Sequence, residues 1–123
     1  HYDVTLIEGD NREKRIKAPK GYKYYYNPKN ITQIMNECDY AFTNGGSTML
    51  ELLCIGTAVH VYPQTMAEKR FSNYILEKGA VISNSTNHYD IPNLDIINKV
   101  RNNAFNLIDG KGSFRIINQL IKL

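Results

Sequence analysis

The sequence has few of the residues that mark a secreted, membrane-spanning or metal-binding protein. Its only cysteines, Cys38 and Cys54, fall in helical patterns and have no metal-ligand spacing around them. Cysteines of this kind are typical of reduced core thiols in a cytoplasmic protein. The sequence shows no secretory signal or membrane span, because its longest apolar stretch, 49–62, is interrupted by residues such as Glu51 and Gly56.

The composition is that of an ordinary globular chain with a slight excess of positive charge. The 123 residues suffice for one domain with a core, and the hydrophobic and charged fractions, 42% and 22%, are typical of such domains. The net charge of +3 favours anionic ligands but is far below that of a dedicated nucleic-acid-binding protein. No cluster of Asp, His or Cys has metal spacing, so we expect no metal site and no cofactor. The chain begins on a strand-like run without an initiating Met, so we expect a fragment, a trimmed chain or a processed chain.

Strand-like and helical patterns alternate along the chain. Apolar and β-branched runs predict strands at 2–7, 21–26, 39–43, 58–62 and 80–82, and helical spacing predicts helices at 31–38, 49–55, 67–78, 95–103 and 114–123. Such alternation, with short loops and no internal repeat, predicts one α/β domain over 1–123. We expect a Rossmann-like parallel sheet of four or five strands with helices on both faces.

The loops that follow the predicted strands are the places where a ligand would bind. In parallel α/β sheets, ligands lie at the carboxyl ends of the strands. Four loops would line that edge, namely 9–11, 27–30, 44–47 and 63–69.

The most informative of these loops carries a strand through two glycines into a helix. Gly45 and Gly46 allow positive φ and a close approach of a ligand, and the first N–H groups of a helix lack partners. A hydroxyl of Ser47 or Thr48 can cap the helix or bind a phosphate oxygen. Glu51 lies one turn beyond Thr48, where its carboxylate can accept two hydrogen bonds from a ribose diol. The same residues also fit an ordinary turn, cap and first-turn acid.

The order of these motifs resembles the carboxy-terminal, nucleotide-sugar-binding half of GT-B glycosyltransferases. The matching residues run from about Tyr26 to Gly79 and include, besides the glycine turn, Gly56-Thr57-Ala58, Pro63 and Glu68. Within this group the pattern is most similar to the peptidoglycan N-acetylglucosaminyl transferase, the nucleotide-sugar hydrolase of the pseudaminic acid pathway and spore-coat polysaccharide proteins.

The resemblance implies a function and a set of binding residues. The chain would bind a UDP-sugar as the donor domain of a glycosyltransferase or nucleotide-sugar hydrolase in surface-glycan synthesis, without a metal. The loop before the first matched helix would bind the base, the glycine turn the diphosphate, the acid one turn later the ribose, and a further patch the sugar. The implied substrate-binding residues are Pro28, Lys29, Ile31, Asn44, Gly45, Gly46, Ser47, Thr48, Glu51, Glu68, Lys69 and Arg70.

The sequence departs from the family pattern in two ways. The patch reads Glu68-Lys69-Arg70 where the family has a Gln, which leaves the sugar open, and either cation can pair with a phosphate instead. The strand and glycine-rich turn that usually precede the segment matching 2–9 are not seen. Catalysis would belong to an amino-terminal acceptor domain, which would also make any peripheral membrane contact. We therefore assign no catalytic residue and expect these 123 residues alone to be inactive.

Two other functions fit the sequence less well. One is a non-catalytic nucleotide-binding module that pairs with another subunit. The other is a nucleic-acid surface at 17–26, where lysines and tyrosines interleave so that the rings can stack on bases. A lysine-rich strand with Tyr24 and Tyr26 on one face explains this stretch more simply, so we expect no nucleic-acid partner. His60 lies in an apolar strand and is predicted to be a buried histidine with a satisfied hydrogen bond.

Overall fold

A computed structural model describes residues 2–10, 15–87 and 90–123 of the chain. Its elements are β1 (Thr5–Glu8), β2 (Lys23–Tyr26), α1 (Ile31–Asn36), β3 (Tyr40–Thr43), α2 (Ser47–Cys54), β4 (Ala58–Val61), α3 (Met66–Glu77), α4 (Leu94–Leu107) and α5 (Gly112–Ile121). The chain is therefore mixed α/β, as predicted. Part of the predicted loop at 12–20 lies outside the described residues. Within those residues, no helix combines the length and the apolar character that crossing a membrane requires.

The strands form two small parallel sheets where the sequence predicts one larger sheet. β1 pairs with β2, with Thr5 opposite Lys23, and β3 pairs with β4, with Tyr40 opposite Ala58. No strand of the described ranges joins the two pairs. The expectation of a single sheet of four or five strands is therefore not met, because strand pairing depends on contacts that local patterns do not encode.

The predicted strand at 80–82 is reduced to an isolated bridge beside β4. Two backbone hydrogen bonds of 2.8 Å join the segment to β4, and one of them is accepted by Ser83. The chain leaves the strand path at the next residue, Asn84, whose side chain donates to two side chains of α3. Because α3 holds Asn84 in this way, the segment 80–83 cannot continue as a strand along β4.

The chain divides into two compact units, residues 1–34 and 35–123. The first unit contains the sheet of β1 and β2, and the second contains the sheet of β3 and β4 with the four longer helices. Strands and helices alternate as predicted in the second unit, from β3 to α3, whereas the first unit has two successive strands followed by the start of α1.

Two tyrosines of β2 bind carboxylates of the first unit. The Tyr24 hydroxyl donates to Glu8 at 2.5 Å, and the Tyr26 hydroxyl donates to Asp10. These hydrogen bonds raise the pKa of both tyrosines above its ordinary value. The Arg15 guanidinium lies 4.0 Å from the centre of the Tyr26 ring. Tyr24 and Tyr26 share one side of the strand, as predicted.

The core of the second unit lies where α2, β4 and α4 meet. α2 contacts β3, β4 and α4, and all four residues of β4 are buried. A strand buried throughout reads as a continuous apolar run rather than as alternation, which is the pattern of this segment. Among the residues with almost no exposed surface are Met49, Leu53, Val59, Val61, Ile75 and Ala104.

α5 has the predicted apolar face but buries none of it. Phe114, Ile117, Leu120 and Ile121 are between 50% and 77% exposed. At its start, Arg115 donates to Asp109 at 2.6 Å, and this hydrogen bond holds the pKa of the Asp109 carboxyl at about 2. The helix is therefore amphipathic without a covering partner among the described residues.

α2 ends at Gly56 in the left-handed conformation that the sequence predicts, with φ of +84°. The N–H of Gly56 donates to Leu53 O at 3.2 Å, and that of Thr57 donates to Leu52 O at 3.0 Å, which closes the helix. A Cβ at Gly56 would lie 2.5 Å from the Phe105 ring of α4. The left-handed conformation therefore favours glycine, and an added methyl would also force the Phe105 ring to move.

Gly56→Ala should destabilise the second unit by about 2 kcal/mol or more, because backbone strain and overpacking add at this position. Gly112→Ala is the matched control. Gly112 has negative φ and only one atom, 4.0 Å away, near its added methyl. The measurement is chemical denaturation followed by circular dichroism. Equal midpoints for the two variants would contradict the role given to Gly56.

Candidate functional site

α2 begins directly from the glycine turn that follows β3. Gly46 is the N-cap, with φ −91° and ψ −157°, and no side chain caps the helix. The prediction that Ser47 or Thr48 caps α2 is wrong, because both lie inside the first turn and the cap position falls on a glycine. In the part of the chain that the structure describes, no hydrogen bond uses the N–H groups of Ser47 and Thr48. These are open donors at the positive end of the helix.

Gly45 serves close packing rather than positive φ. Neither Gly45 nor Gly46 uses the positive φ that a glycine allows. The N–H of Gly45 donates to Oε2 of Glu68 at 3.3 Å, and a Cβ on Gly45 would lie 2.8 Å from the Cβ of Glu68. The close approach that the glycine allows is therefore made by the chain's own helix α3.

Glu68 ties the loop after β3 to the loop after β4. Its Oε2 also accepts from the N–H of Gln64 at 2.7 Å. Its own N–H donates at 3.1 Å to the hydroxyl of Thr65, which is the N-cap of α3. The structure thus brings loops 44–47 and 63–69 together, as predicted. One of the backbone donors assigned to a ligand is occupied by this carboxylate.

Thr48 and Glu51 lie one turn apart on α2, as the spacing predicts. Glu51 is exposed and Thr48 is half-buried. Within the described ranges, no hydrogen bond engages the Glu51 carboxylate, so both its oxygens are available to a ligand. Ser47, also exposed, begins the same turn.

The predicted base-binding residues belong to the first unit. Asn27 ends β2 in the left-handed conformation, with φ of +42°, which asparagine tolerates better than most residues. Pro28 and Lys29 follow, and α1 begins at Ile31. Asn30 is in the expected capping position, where its carbonyl accepts from two N–H groups of α1. The other nine predicted site residues belong to the second unit.

An open cavity of about 530 Å³ lies beyond the carboxyl end of β4. Its lining includes Gln64, Thr65, Lys69, Asn84 and Ser85. The Nζ of Lys69 donates to the carbonyl of Asn84 at 2.9 Å, so the predicted site residue Lys69 reaches across from α3 to the cavity wall. Arg70, in contrast, is exposed and does not line the cavity.

Asn84 fixes the far wall of this cavity. It is only 7% exposed, and its Nδ2 donates to Ser72 at 3.2 Å and to Asn73 at 2.6 Å. Sequence reasoning missed Asn84 and Ser85, because they lie in a polar turn that carries no spacing signal. A predicted strand directly before that turn was the available signal, since it places the turn at the carboxyl edge.

His60 is the buried histidine that the sequence predicts. It is 2% exposed, and its Nε2 lies 2.8 Å from the carbonyl of Ser85. Its ring stacks on Tyr62, with the ring centres 5.0 Å apart. One ring nitrogen of His60 therefore holds the Ser85 segment, while Nδ1 is buried without a hydrogen-bond partner among the described residues.

Neither a metal centre nor a known relative defines this site. In residues 2–10, 15–87 and 90–123, no group of three or more His, Cys, Asp or Glu side chains is arranged to hold a metal ion. Comparison with protein-family models, with curated proteins and with solved structures gives no match to this chain. The function of this site is therefore argued from the positions and contacts of its own residues.

Asn84→Ala should destabilise the second unit by about 1–3 kcal/mol, because it removes the two hydrogen bonds that the buried Asn84 side chain donates to Ser72 and Asn73. Asn98→Ala is the matched control, since Asn98 is exposed on α4 and alanine suits a helix. Urea denaturation of both variants tests this. A loss of stability in Asn98→Ala as large as that in Asn84→Ala would argue against a fixed cavity wall.

Proposed function

We propose that the second unit binds the diphosphate of a UDP-sugar at the start of α2, as the donor-binding part of a glycosyltransferase or nucleotide-sugar hydrolase. The observation that carries the proposal is an uncapped helix start, opened by a glycine turn, with unused N–H groups at Ser47 and Thr48. Backbone donors at a helix start bind phosphate well because the helix dipole adds to their hydrogen bonds.

Each neighbouring group has a distinct role in this proposal. The hydroxyls of Ser47 and Thr48 add donors to the diphosphate, and the exposed Glu51 carboxylate one turn away accepts from the ribose diol. Glu68 already binds the Gly45 N–H, so it positions the turn rather than touching the phosphate. The open donors offset the charge of a leaving diphosphate without a metal.

The rest of the proposal follows the family resemblance. It places the contacts of the second unit within a Rossmann-like GT-B half. The base contacts that the resemblance implies at Pro28, Lys29 and Ile31 belong to the first unit, and the proposed diphosphate and ribose contacts do not depend on them. An amino-terminal domain binds the acceptor and provides the catalytic group. The second candidate is a non-catalytic module with the same nucleotide site, and full-length protein that binds UDP-sugar without turning it over would favour it.

The contacts of the tyrosine-rich strand β2 argue against the nucleic-acid surface that its sequence allows. The hydroxyls of Tyr24 and Tyr26 bind the carboxylates of Glu8 and Asp10. Carboxylates beside stacking rings repel a phosphate backbone, so this strand is a poor surface for RNA or single-stranded DNA.

A titration with UDP tests the site directly. In NMR spectra of the labelled chain, UDP should shift the amides of Gly46, Ser47 and Thr48, because their N–H groups meet the diphosphate. Amides of α5, which lies in no part of the site, serve as the internal control. No response at these amides at millimolar UDP, or a response confined to α5, would rule the proposal out.

Substitution of Glu51 tests the ribose contact. Glu51→Gln should weaken UDP binding by roughly 1 kcal/mol, because a neutral acceptor replaces a charged one, and Glu51→Ala should weaken it further. Glu77→Gln, an exposed acid at the end of α3, is the control and should leave affinity unchanged.

A 2′-deoxy ligand sharpens this test. It should bind the parent chain more weakly than UDP does, yet lose little further affinity in Glu51→Ala. Calorimetry measures both ligands on each variant. If the substitution weakens both ligands by the same factor, Glu51 does not bind the diol.

A further inference from the structure

Lys69 places a positive charge in the wall of the cavity beyond β4, and the proposed diphosphate site does not use it. The residue is half-buried and its ammonium donates to the Asn84 carbonyl at 2.9 Å. An ammonium group has three N–H donors, so further donors remain for a ligand. The single ion pair among the described residues joins Arg115 to Asp109, and Lys69 has no carboxylate partner there.

The remaining walls of the cavity are uncharged and mix polar groups with the apolar side chains of Pro63 and Met66. Gln64, Thr65 and Ser85 contribute amide and hydroxyl groups around Lys69. Asn84 is held by its bonds to α3, so the carbonyl that orients the Lys69 ammonium has a fixed position. One cation among neutral polar and apolar groups, in an open cavity of about 530 Å³, is complementary to an anionic group of sugar size, whose hydroxyls and C–H faces suit such a mixed lining.

The loop that lines one side of the cavity lies next to the glycine turn before α2. Gln64 lines the cavity, and its N–H shares the Glu68 carboxylate with the N–H of Gly45 in the glycine turn. In the proposal below, a group attached to a diphosphate at Ser47 and Thr48 extends past Gln64 toward Lys69. The group in that place on a nucleotide sugar is the sugar itself.

We propose that Lys69 binds a carboxylate on the donor sugar, so that the preferred ligand is a nucleoside diphosphate linked to an acidic sugar. This inference rests on the proposed diphosphate site. A flexible ammonium reaches a carboxylate as a point charge and forms a charge-assisted hydrogen bond. A neutral hexose in the same cavity makes only neutral hydrogen bonds, which contribute less.

Calorimetry with three ligands and four proteins tests the inference. UDP, UDP-glucose and UDP-glucuronate are titrated into the parent chain, Lys69→Gln, Lys69→Arg and Lys78→Gln. Lys78 lies at the exposed end of the same helix, over the Tyr74 ring, and is the matched control. The parent and Lys78→Gln should bind UDP-glucuronate at least about fivefold more tightly than UDP-glucose. Lys69→Gln should abolish that preference with UDP affinity unchanged, and Lys69→Arg should keep part of it.

Three other outcomes of the calorimetry would each overturn the inference, for a different reason. If Lys69→Gln weakens all three ligands equally, Lys69 binds the diphosphate and the acidic-sugar inference is overturned, while the nucleotide site stands. If the parent binds UDP but does not distinguish the two sugars, the inference again fails alone. If the parent does not bind UDP, the proposed function fails and the inference falls with it. Circular dichroism of Lys69→Gln and Lys69→Arg verifies that both are folded.

Discussion

The site depends on the Glu68 carboxylate, which accepts hydrogen bonds from two separate loops. One oxygen atom accepts from Gly45 after β3 and from Gln64 after β4, residues that are far apart in sequence. Charge-assisted hydrogen bonds to backbone N–H groups are among the stronger polar contacts in proteins. The direction in which α2 leaves the glycine turn, and hence the direction of its open donors, is set by this contact and by the missing side chain of Gly45.

The buried core makes this arrangement rigid. Met49 and Leu53 anchor α2 to β4, so the donors at Ser47 and Thr48 sit at the end of a helix whose other face cannot shift without opening the core. His60 and Asn84 hold the far side through Ser85 and α3. A preorganised donor set costs a ligand less ordering entropy than a flexible loop does.

Local sequence patterns predicted what depends on local geometry. The glycine turn, the helical spacing of α2 and the left-handed end at Gly56 all follow from residues within one or two turns of each other. The failures involve distant partners. The single sheet could not be predicted because strand pairing is decided by long-range contacts. The Gly45 to Glu68 contact and the buried Asn84 also join segments that no periodicity relates, so the cavity wall was missed although Lys69 was named.

The exposed face of α5 has a consequence for how the chain opens. Isolated helices of about ten residues are marginal in water, and most helical stability in proteins comes from packing an apolar face. α5 buries no residue, so it adds little to the cooperative unfolding of the core around α2 and β4. Its opening is a local event with its own small free energy, whereas opening of the glycine turn requires the Glu68 contact and the core beneath it to open as well. The chain therefore has two levels of protection against solvent, with the proposed binding site in the more protected one.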